Sequence, residues 1–465
     1  MASPSAPAIA PSALAAVGGP GSATVADLNI APGTALHEVK KGDSVPGIVR
    51  QYLPQTKFMT GSELEAGLRK TNLDLKGIWP KPGTTLIVPE FIAGPWIEKP
   101  VAKAKDYEVR AIYLTGTMAG SARGLEIIHK WRNAGGNAVV FDVKDSDGLV
   151  NVPFQHPLAP PTQRVAIRNL PKFTRYLHGL GLHAIARIAV FRDEHIAVHH
   201  PEMTIRSRRS GEPWKENGKL VWADPSRSEI WDYNIALARF AAESGADEVQ
   251  FDYVRFPAEG DQKDAKFAYE TEHPQWKRSD AVTHFLEKAH SQLWPMGVLL
   301  SLDVFGIMAW QRPVDLSHTG QNIPEMARHC DILSPMIYPS HFFGMDGYAL
   351  PGDAAEHFIS ESMERFQKIT AGSGVVLRPW LQAFGWKTKT YSPEYIITQV
   401  RVAHEKGGIG FLFWNASNDY GKPFAAMPVM RATPGKFFRG DEIGSTALPA
   451  VDKTLSQPDA SSKGQ

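Results

Sequence analysis

The sequence contains a single cysteine among its 465 residues, Cys330. A disulfide within the chain is therefore excluded, and there is no CxxC pair for a metal site. No unbroken apolar run reaches about 18 residues, so no transmembrane helix is predicted. Positive charge is not in excess, because 50 basic and 49 acidic residues leave a formal net charge of +1. Without a basic surplus to attract phosphate groups, nucleic acid is not expected as a partner.

Several catalytic and cofactor motifs are also missing. Neither G-x-G-x-x-G nor G-x-x-x-x-G-K-[ST] occurs, so the sequence predicts no nucleotide site. The absence of a G-x-S-x-G elbow argues against an esterase, and the absence of a zinc-ligand pattern argues against a deacetylase. His195, His199 and His200 cluster in one loop, but adjacent histidines point in different directions and H-E-x-x-H is absent. We therefore expect no metal and no cofactor.

Both ends of the chain differ in composition from its middle. Residues 1–34 are rich in Ala, Pro, Ser and Gly and lack the basic region and apolar core of a secretory signal, so they are predicted to be a disordered leader. Residues 436–465 are polar and rich in small residues, and are predicted to be a disordered tail. Over the whole sequence, 43% hydrophobic and 21% charged residues are normal for a globular protein.

Residues 35–92 predict a small α+β domain. Its elements alternate in the order strand, helix, helix, strand, and the two strands are close enough in sequence to pair. The strands are predicted at Leu36 to Val39 and Thr85 to Val88. The first helix is predicted to begin at Ser44, and the second to span Glu63 to Lys70.

This small domain resembles a LysM module. The matching residues are Val39, Gly42-Asp43-Ser44, Ile48, Asn72, Pro82-Gly83 and Leu86-Ile87-Val88-Pro89. The resemblance implies binding of polymers that contain N-acetylglucosamine. A structural or docking domain that keeps the fold without the sugar site is the alternative, because a fold does not determine a function.

After a predicted linker at 93–106, residues 107–435 alternate apolar and amphipathic segments. The apolar runs are Arg110 to Gly116, Asn137 to Asp142, His183 to Phe191, Glu248 to Arg255, Gly297 to Asp303, Asp331 to Tyr338, Val375 to Phe384 and Gly408 to Asn415. Helical periodicity separates most of these runs, and several of the helices end in glycine. Eight buried strands that alternate with helices predict a (β/α)8 TIM barrel.

Polar and aromatic residues are concentrated at the ends of these predicted strands. In such barrels the active site lies at the carboxyl ends of the strands. The candidate side chains are carboxylates, rings, amides and guanidinium groups suited to sugars. They are Asp142, Lys144, Asp145, Arg187, Trp222, Asp252, Tyr253, Arg255, Asp303, Tyr338, His341, Trp380, Gln382, Trp414 and Asn415.

Two of these carboxylates predict a reaction. Glycoside hydrolysis needs two carboxyl groups that flank the scissile bond. Asp252 and Asp303 end the predicted fourth and fifth strands, which run about 4.8 Å apart if adjacent. If both side chains point inward at the same height in the barrel, the distance between their carboxyl groups would suit the roughly 5 to 5.5 Å of a retaining mechanism.

The segment from Arg110 to Ala425 resembles a bacterial family of putative glycosyl hydrolase barrels that is distantly similar to the alpha-amylase and alpha-galactosidase barrels. The matching strings are FDVKD with Gly148, WADP at 222–225, FDYVRFP at 251–257, SPMIYPSH at 334–341 and FWN at 413–415. The resemblance implies a nucleophile at the end of strand four, which is Asp252. Alpha-amylase-like enzymes carry a glutamate acid on strand five, where this chain has Asp303. Alpha-galactosidase-like enzymes carry their acid on strand six, where this chain has Tyr338 and His341.

Other roles remain open for these candidates. Asp252 is alternatively a structural acid paired with an arginine. Asp142 and Asp145 either hold substrate hydroxyls, anchor Lys144, or supply the acid. Trp380 and Trp414 are alternatively core residues. The long loop at 193–224 is predicted to cover part of a cleft and to supply tryptophan-lined subsites from Trp214 and Trp222.

Together these features predict a glycosidase with Asp252 as nucleophile and Asp303 as acid/base. Its substrate would be a polysaccharide or peptidoglycan-type glycan, to which the LysM-like domain delivers it. The alternative is a non-catalytic envelope protein that binds glycan through both domains. The LysM-like domain and the substrate that it implies favour a location in the cell envelope or outside the cell.

Overall fold

The computed structural model describes residues 32–160 and 165–439. The predicted leader up to residue 31 and the predicted tail from residue 440 lie outside the described residues. The chain divides into two compact units, Met1–Ala93 and Gly94–Gln465. Within the described ranges, no helix is long and apolar enough to cross a membrane.

The first unit has the predicted order of strand, helix, helix and strand. Its elements are the strand Ala35–Glu38, the helices Val45–Tyr52 and Gly61–Thr71 with a 3-10 turn Leu53–Gln55 between them, and the strand Thr85–Val88. The strands pair antiparallel, with Ala35 opposite Val88. Thr60 and Glu63 form a capping box at the second helix, satisfying backbone N–H groups that would otherwise lack acceptors.

Asn72 connects the second helix of this unit to its second strand. The side-chain amide donates to the carbonyl oxygens of Leu68 and Ile87, each at 2.8 Å, and its oxygen accepts from the N–H of Ile87 at 2.8 Å. Beneath it, Val45, Leu64 and other apolar residues form a small buried core. One polar side chain therefore holds the helix end and the strand in register.

The second unit contains eight parallel strands. They are Val109–Leu114, Ala138–Lys144, His183–Ala189, Glu248–Asp252, Leu299–Phe305, Ile332–Ile337, an interrupted strand Val376–Leu377 and Trp380–Gln382, and Gly410–Trp414. Each pairs with the next, and the eighth returns to the first, where Gly410 pairs with Val109. The predicted (β/α)8 barrel is confirmed.

Helices surround the barrel. The longer ones are Ala122–Ala134, Leu170–Gly179, Ser228–Glu243, Arg278–Leu293, Ala355–Ile369, Pro393–Glu405 and Gly421–Ala432. After the fifth strand, where a helix was predicted, the structure has only short pieces, Gly306–Trp310, Pro313–Thr319 and Ile323–Met326. The helix Gly421–Ala432 follows the eighth strand and contains Pro428.

The segment predicted as a linker contacts the barrel. The N–H of Val101 donates to Oδ1 of Asp247 at 2.5 Å, and Glu98 lies 3.2 Å from Nδ1 of His178. The ring of Trp96 lies 5.6 Å from the ammonium group of Lys172. Residues from Gly94 onward therefore pack as part of the second unit.

Candidate active site

Asp252 and Asp303 lie at one level at the carboxyl ends of neighbouring strands. The fourth and fifth strands pair up to Phe251 and Leu302, and each aspartate is the next residue. Adjacent strands are about 4.8 Å apart, so the two side chains start from neighbouring positions. Both are largely removed from solvent, with 6% and 2% of their surfaces exposed. The sequence could not decide this level because it depends on strand register.

One guanidinium group, that of Arg187 on the third strand, joins the carboxyl groups. Its Nη2 lies 2.6 Å from Oδ2 of Asp252, its Nη1 lies 2.5 Å from Oδ1 of Asp142, and its Nε lies 3.9 Å from Oδ2 of Asp303. Oδ1 of Asp145 lies 3.7 Å from Nη1, but the side chain of Asp145 is 41% exposed. A single buried cation cannot compensate three buried carboxylates, so at least one carboxyl retains its proton near neutral pH.

Asp303 is biased toward the protonated form. Burial raises its pKa well above the usual value, and the negative charge of Asp252 raises it further, against the opposing effect of Arg187. Its Oδ1 accepts a hydrogen bond of 2.7 Å from the indole Nε1 of Trp380. A proton donor therefore lies beside an ion-paired carboxylate, and Trp380 contributes a polar contact as well as packing.

The backbone turns sharply just after Asp252. Tyr253 has φ +54°, in the left-handed region that a bulky residue seldom adopts, at a cost of about 1–3 kcal/mol. In this conformation the N–H of Tyr253 donates to Oδ1 of Asp252 at 2.6 Å. The carboxylate is thus held from both sides, by Arg187 at one oxygen and by this N–H at the other.

Asp142 is held between Arg187 and the hydroxyl of Tyr113, which donates to its Oδ2. Burial raises the pKa of Asp142 to about 7, and the charge of Asp145 adds to this effect while Arg187 opposes it. Asp142 does not line the cavity described below. It reaches the site through its contact with Arg187, which does line the cavity.

The raised pKa of Asp142 predicts a pH dependence. Because the folded pKa lies above the unfolded value of about 3.9, this group contributes stability that is fully present below about pH 4 and is lost as the pH rises through about 7. We expect Asp142→Asn, which cannot titrate, to lose less stability than the wild type between pH 4.5 and 8. Urea unfolding midpoints across that range measure the difference, and parallel curves for the two proteins would contradict the assignment.

Aromatic rings form one wall beside these carboxyl groups. Trp414 stacks on Tyr113, with ring centroids 4.1 Å apart, and meets Trp380 edge-on at 5.6 Å. The guanidinium of Arg187 lies 5.2 Å from the ring of Trp414. These rings hold the arginine in place and present an apolar surface of the kind that packs against sugar faces.

These groups open into a cavity of about 440 Å³. Its lining brings together nine of the residues predicted from the sequence with six that were not. The predicted residues are Arg187, Asp252, Tyr253, Arg255, Asp303, Tyr338, His341, Trp380 and Trp414, and the others are Glu259, Phe305, Gly306, Ile307, Met336 and Phe342.

Three further predicted residues instead brace loops of the protein itself. Buried Lys144 pairs with Asp193 at 2.7 Å. Gln382 accepts from the N–H of Ser340 at 3.1 Å and donates to its own following loop. Asn415 donates to the carbonyl of Ala383 at 2.6 Å. Their polar atoms are engaged in these contacts, and none of the three lines the cavity.

The loop at 193–224 reaches the cavity by a different route from the one predicted. Trp214 and Trp222 are only 5% and 3% exposed and do not line the cavity. The indole of Trp222 lies instead 4.9 Å from the guanidinium of Arg255, which is one of the residues that line the cavity. Asn217 is a further link to the cavity, because its amide donates to Oε2 of the lining residue Glu259 at 3.0 Å.

Glu259 is a cavity carboxylate that the sequence reasoning missed. It is exposed and lies seven residues beyond Asp252, in the loop that follows the fourth strand. Restricting the candidates to strand ends excluded it. A search of the polar residues throughout that loop would have found it.

The histidine cluster does not assemble a metal site. The rings of His195 and His199 have centroids 4.7 Å apart, and those of His195 and His200 lie at 5.8 Å. Across residues 32–160 and 165–439, no group of three or more His, Cys, Asp or Glu side chains is arranged to hold a metal ion.

Similarity to solved structures supports this fold. The PgaB (BpsB) glycoside hydrolase domain from Bordetella bronchiseptica is 14% identical, with 72% of this chain and 99% of that chain covered and a TM-score of 0.52. A hypothetical protein from Ruminiclostridium thermocellum ATCC 27405 is 32% identical, with 42% of this chain and 97% of that chain covered and a TM-score of 0.36. At these values, only the first similarity bears on the fold, and it agrees with the barrel.

The family comparison bears on function. None of the curated proteins matches this chain. A family described as "Putative glycosyl hydrolase domain" matches residues 111–420 of the 465, which include every barrel strand end described above. The chain therefore belongs to this glycosyl hydrolase family.

Proposed function

We propose that the protein is a retaining glycosidase that hydrolyses a polysaccharide, with Asp252 as nucleophile and Asp303 as acid/base. The observation that carries this proposal is the pair of carboxyl groups at one level in one cavity, on neighbouring strands. Such neighbours are compatible with the roughly 5 to 5.5 Å separation of retaining enzymes. Inverting enzymes need a wider separation, to admit a water molecule.

In the first step, Asp252 attacks the anomeric carbon and forms a glycosyl ester. The bond between that carbon and the leaving oxygen breaks, and the proton of Asp303 moves to that oxygen. The hydrogen bond from Trp380 to Oδ1 leaves Oδ2 of Asp303 to carry the proton. Burial keeps this proton in place at neutral pH by raising the pKa.

In the second step, the carboxylate of Asp303 accepts a proton from water. The water oxygen attacks the anomeric carbon, and the ester bond to Asp252 breaks, which restores both groups. Arg187 supports this cycle because it lies against both carboxyls and stabilises whichever one carries the negative charge.

Mass spectrometry of products tests the activity. The purified protein is incubated with cell-wall glycan and with a panel of alpha- and beta-linked polysaccharides. New oligosaccharides establish a glycosidase and its substrate class, and NMR of the first product establishes whether the anomeric configuration is retained. No products, but retention of the protein on insoluble glycan, would favour a non-catalytic glycan-binding protein of the envelope.

The first unit would bind glycan that contains N-acetylglucosamine and bring the barrel to an envelope or extracellular substrate. Its element order supports this role, as do three exposed apolar side chains between its second helix and second strand, Leu73, Ile78 and Trp79. The carbonyl of Ile78 accepts from the N–H of Val45, so these residues lie near the start of the first helix. In a co-sedimentation assay with insoluble glycan, we expect Trp79→Ala to reduce retention severalfold.

A further inference from the structure

Two large aromatic side chains are exposed beside the cavity, on the loops that follow the sixth and seventh strands. Phe343 is 51% exposed and Trp386 is 48% exposed. Their rings meet edge-on with centroids 5.6 Å apart, and the ring of His341 lies 5.1 Å from Trp386. We call these three residues the aromatic platform. Contiguous exposed apolar surface of this kind commonly marks a binding site.

The aromatic platform is continuous with the cavity. His341 belongs to both, because it lines the cavity that contains Asp303. Its ring also lies 5.5 Å from that of Tyr338, which is another lining residue. A chain that leaves the cavity on this side would therefore pass directly over Trp386.

The loop that carries Trp386 is firmly held. Gln382 donates to the carbonyl of Phe384 and to Oγ1 of Thr388, both at 2.9 Å, and Thr388 donates to the carbonyl of Trp386 at 3.0 Å. Oδ1 of Asp353 accepts from the next two N–H groups along the loop, at 2.7 and 3.0 Å. The exposed indole is thus preorganised, which lowers the entropy cost of binding.

The chemistry of the platform suits a sugar ring. Nζ of Lys387 lies 4.0 Å from the ring centroid of Phe343 and 4.7 Å from that of Trp386. Aromatic rings pack against the C–H groups of a pyranose, and an ammonium group in contact with those rings donates to its hydroxyls. A purely apolar partner would have no use for this charge.

We propose that the aromatic platform is a subsite for a further pyranose unit of a glycan whose reacting bond lies in the cavity. This inference rests on the proposed function, and it implies that the protein prefers polymeric glycans to single sugars. A chain long enough to reach from Asp303 to Trp386 gains the contact, and a shorter one does not.

The test compares oligosaccharides of increasing length from the best substrate class. We expect Trp386→Ala to lower kcat/KM for the longest oligosaccharides about tenfold more than for the shortest that is cleaved, since one aromatic contact is lost. Trp386→Phe, which keeps a ring, should retain most of the length preference. Equal losses at every length would indicate a role in holding the cavity and would overturn the subsite, as would no loss at all.

The matched control is Trp294→Ala. Trp294 is 65% exposed and precedes the fifth strand, so it lies at the opposite end of the barrel. We expect its kcat/KM to match that of the wild type at every length. A length-dependent loss in this variant would show that the effect is not specific to the platform.

Binding separates failure of the subsite from failure of the activity. If the wild type cleaves no glycan, affinity electrophoresis with the same polysaccharides is carried out on wild type and Trp386→Ala. Weaker retention of the variant would support the proposed subsite, while the absence of cleavage would contradict the proposed glycosidase activity. Equal retention of the two proteins, or none for either, would overturn the subsite itself.

Discussion

Asp252→Asn is expected to remove glycan turnover, with a loss on the order of 10^4-fold in kcat, while glycan binding stays within a fewfold of the wild type. An amide oxygen is a poor nucleophile, so the glycosyl ester does not form. The side chain keeps its size and still accepts from the N–H of Tyr253. Product formation by mass spectrometry and binding by affinity electrophoresis measure the two effects separately.

The matched control for this variant is Asp331→Asn. Asp331 is also buried, but it precedes the sixth strand and accepts from the N–H of Leu300 at 2.9 Å, at the end of the barrel away from the cavity. Its replacement makes the same chemical change and should leave turnover largely intact. Full activity of Asp252→Asn would discard Asp252 as the nucleophile and favour its structural alternative, an acid paired with Arg187.

Arg187→Met is expected to destabilise the fold by about 3–5 kcal/mol at pH 7.5, because it removes the one cation that, among the described residues, contacts the buried carboxyls of Asp142, Asp252 and Asp303. Without it, the folded pKa values of Asp142 and Asp303 rise further above their unfolded values, because the charge of Arg187 opposes both increases. The stability that these groups contribute is then present below about pH 4 and lost as the pH rises. The deficit of the variant should therefore shrink as the pH falls.

Urea unfolding at pH 4.5 and 7.5 measures this change. Arg175→Met is the control, because that arginine is half exposed and lies 3.7 Å from Glu98, so its loss should cost less than about 1 kcal/mol at either pH. An Arg187→Met deficit of equal size at both pH values would mean that lost packing, and not uncompensated charge, is responsible. The variant should also lose activity, since Asp252 and Asp303 lose their shared partner.

Local patterns determined the elements and the end of the barrel at which the candidate residues meet. Apolar runs and helical periodicity predicted the eight strands, because burial imposes those periods on the sequence. The same reasoning did not give the lengths of the helices, and after the fifth strand the structure has only short pieces. It also placed Asp252 and Asp303 at the carboxyl ends of their strands, since parallel strands end on one side.

Only the tertiary structure decided which of these residues share a site. Register between strands brought Asp252 and Asp303 to one level, and it brought Arg187 against carboxyls that lie 45 and 65 residues away in sequence. The same long-range packing turned Gln382 toward its own loop, away from the cavity, and brought Glu259 to the lining. Strand register and loop packing arise from contacts between segments that are distant in sequence, so a local sequence pattern does not predict them.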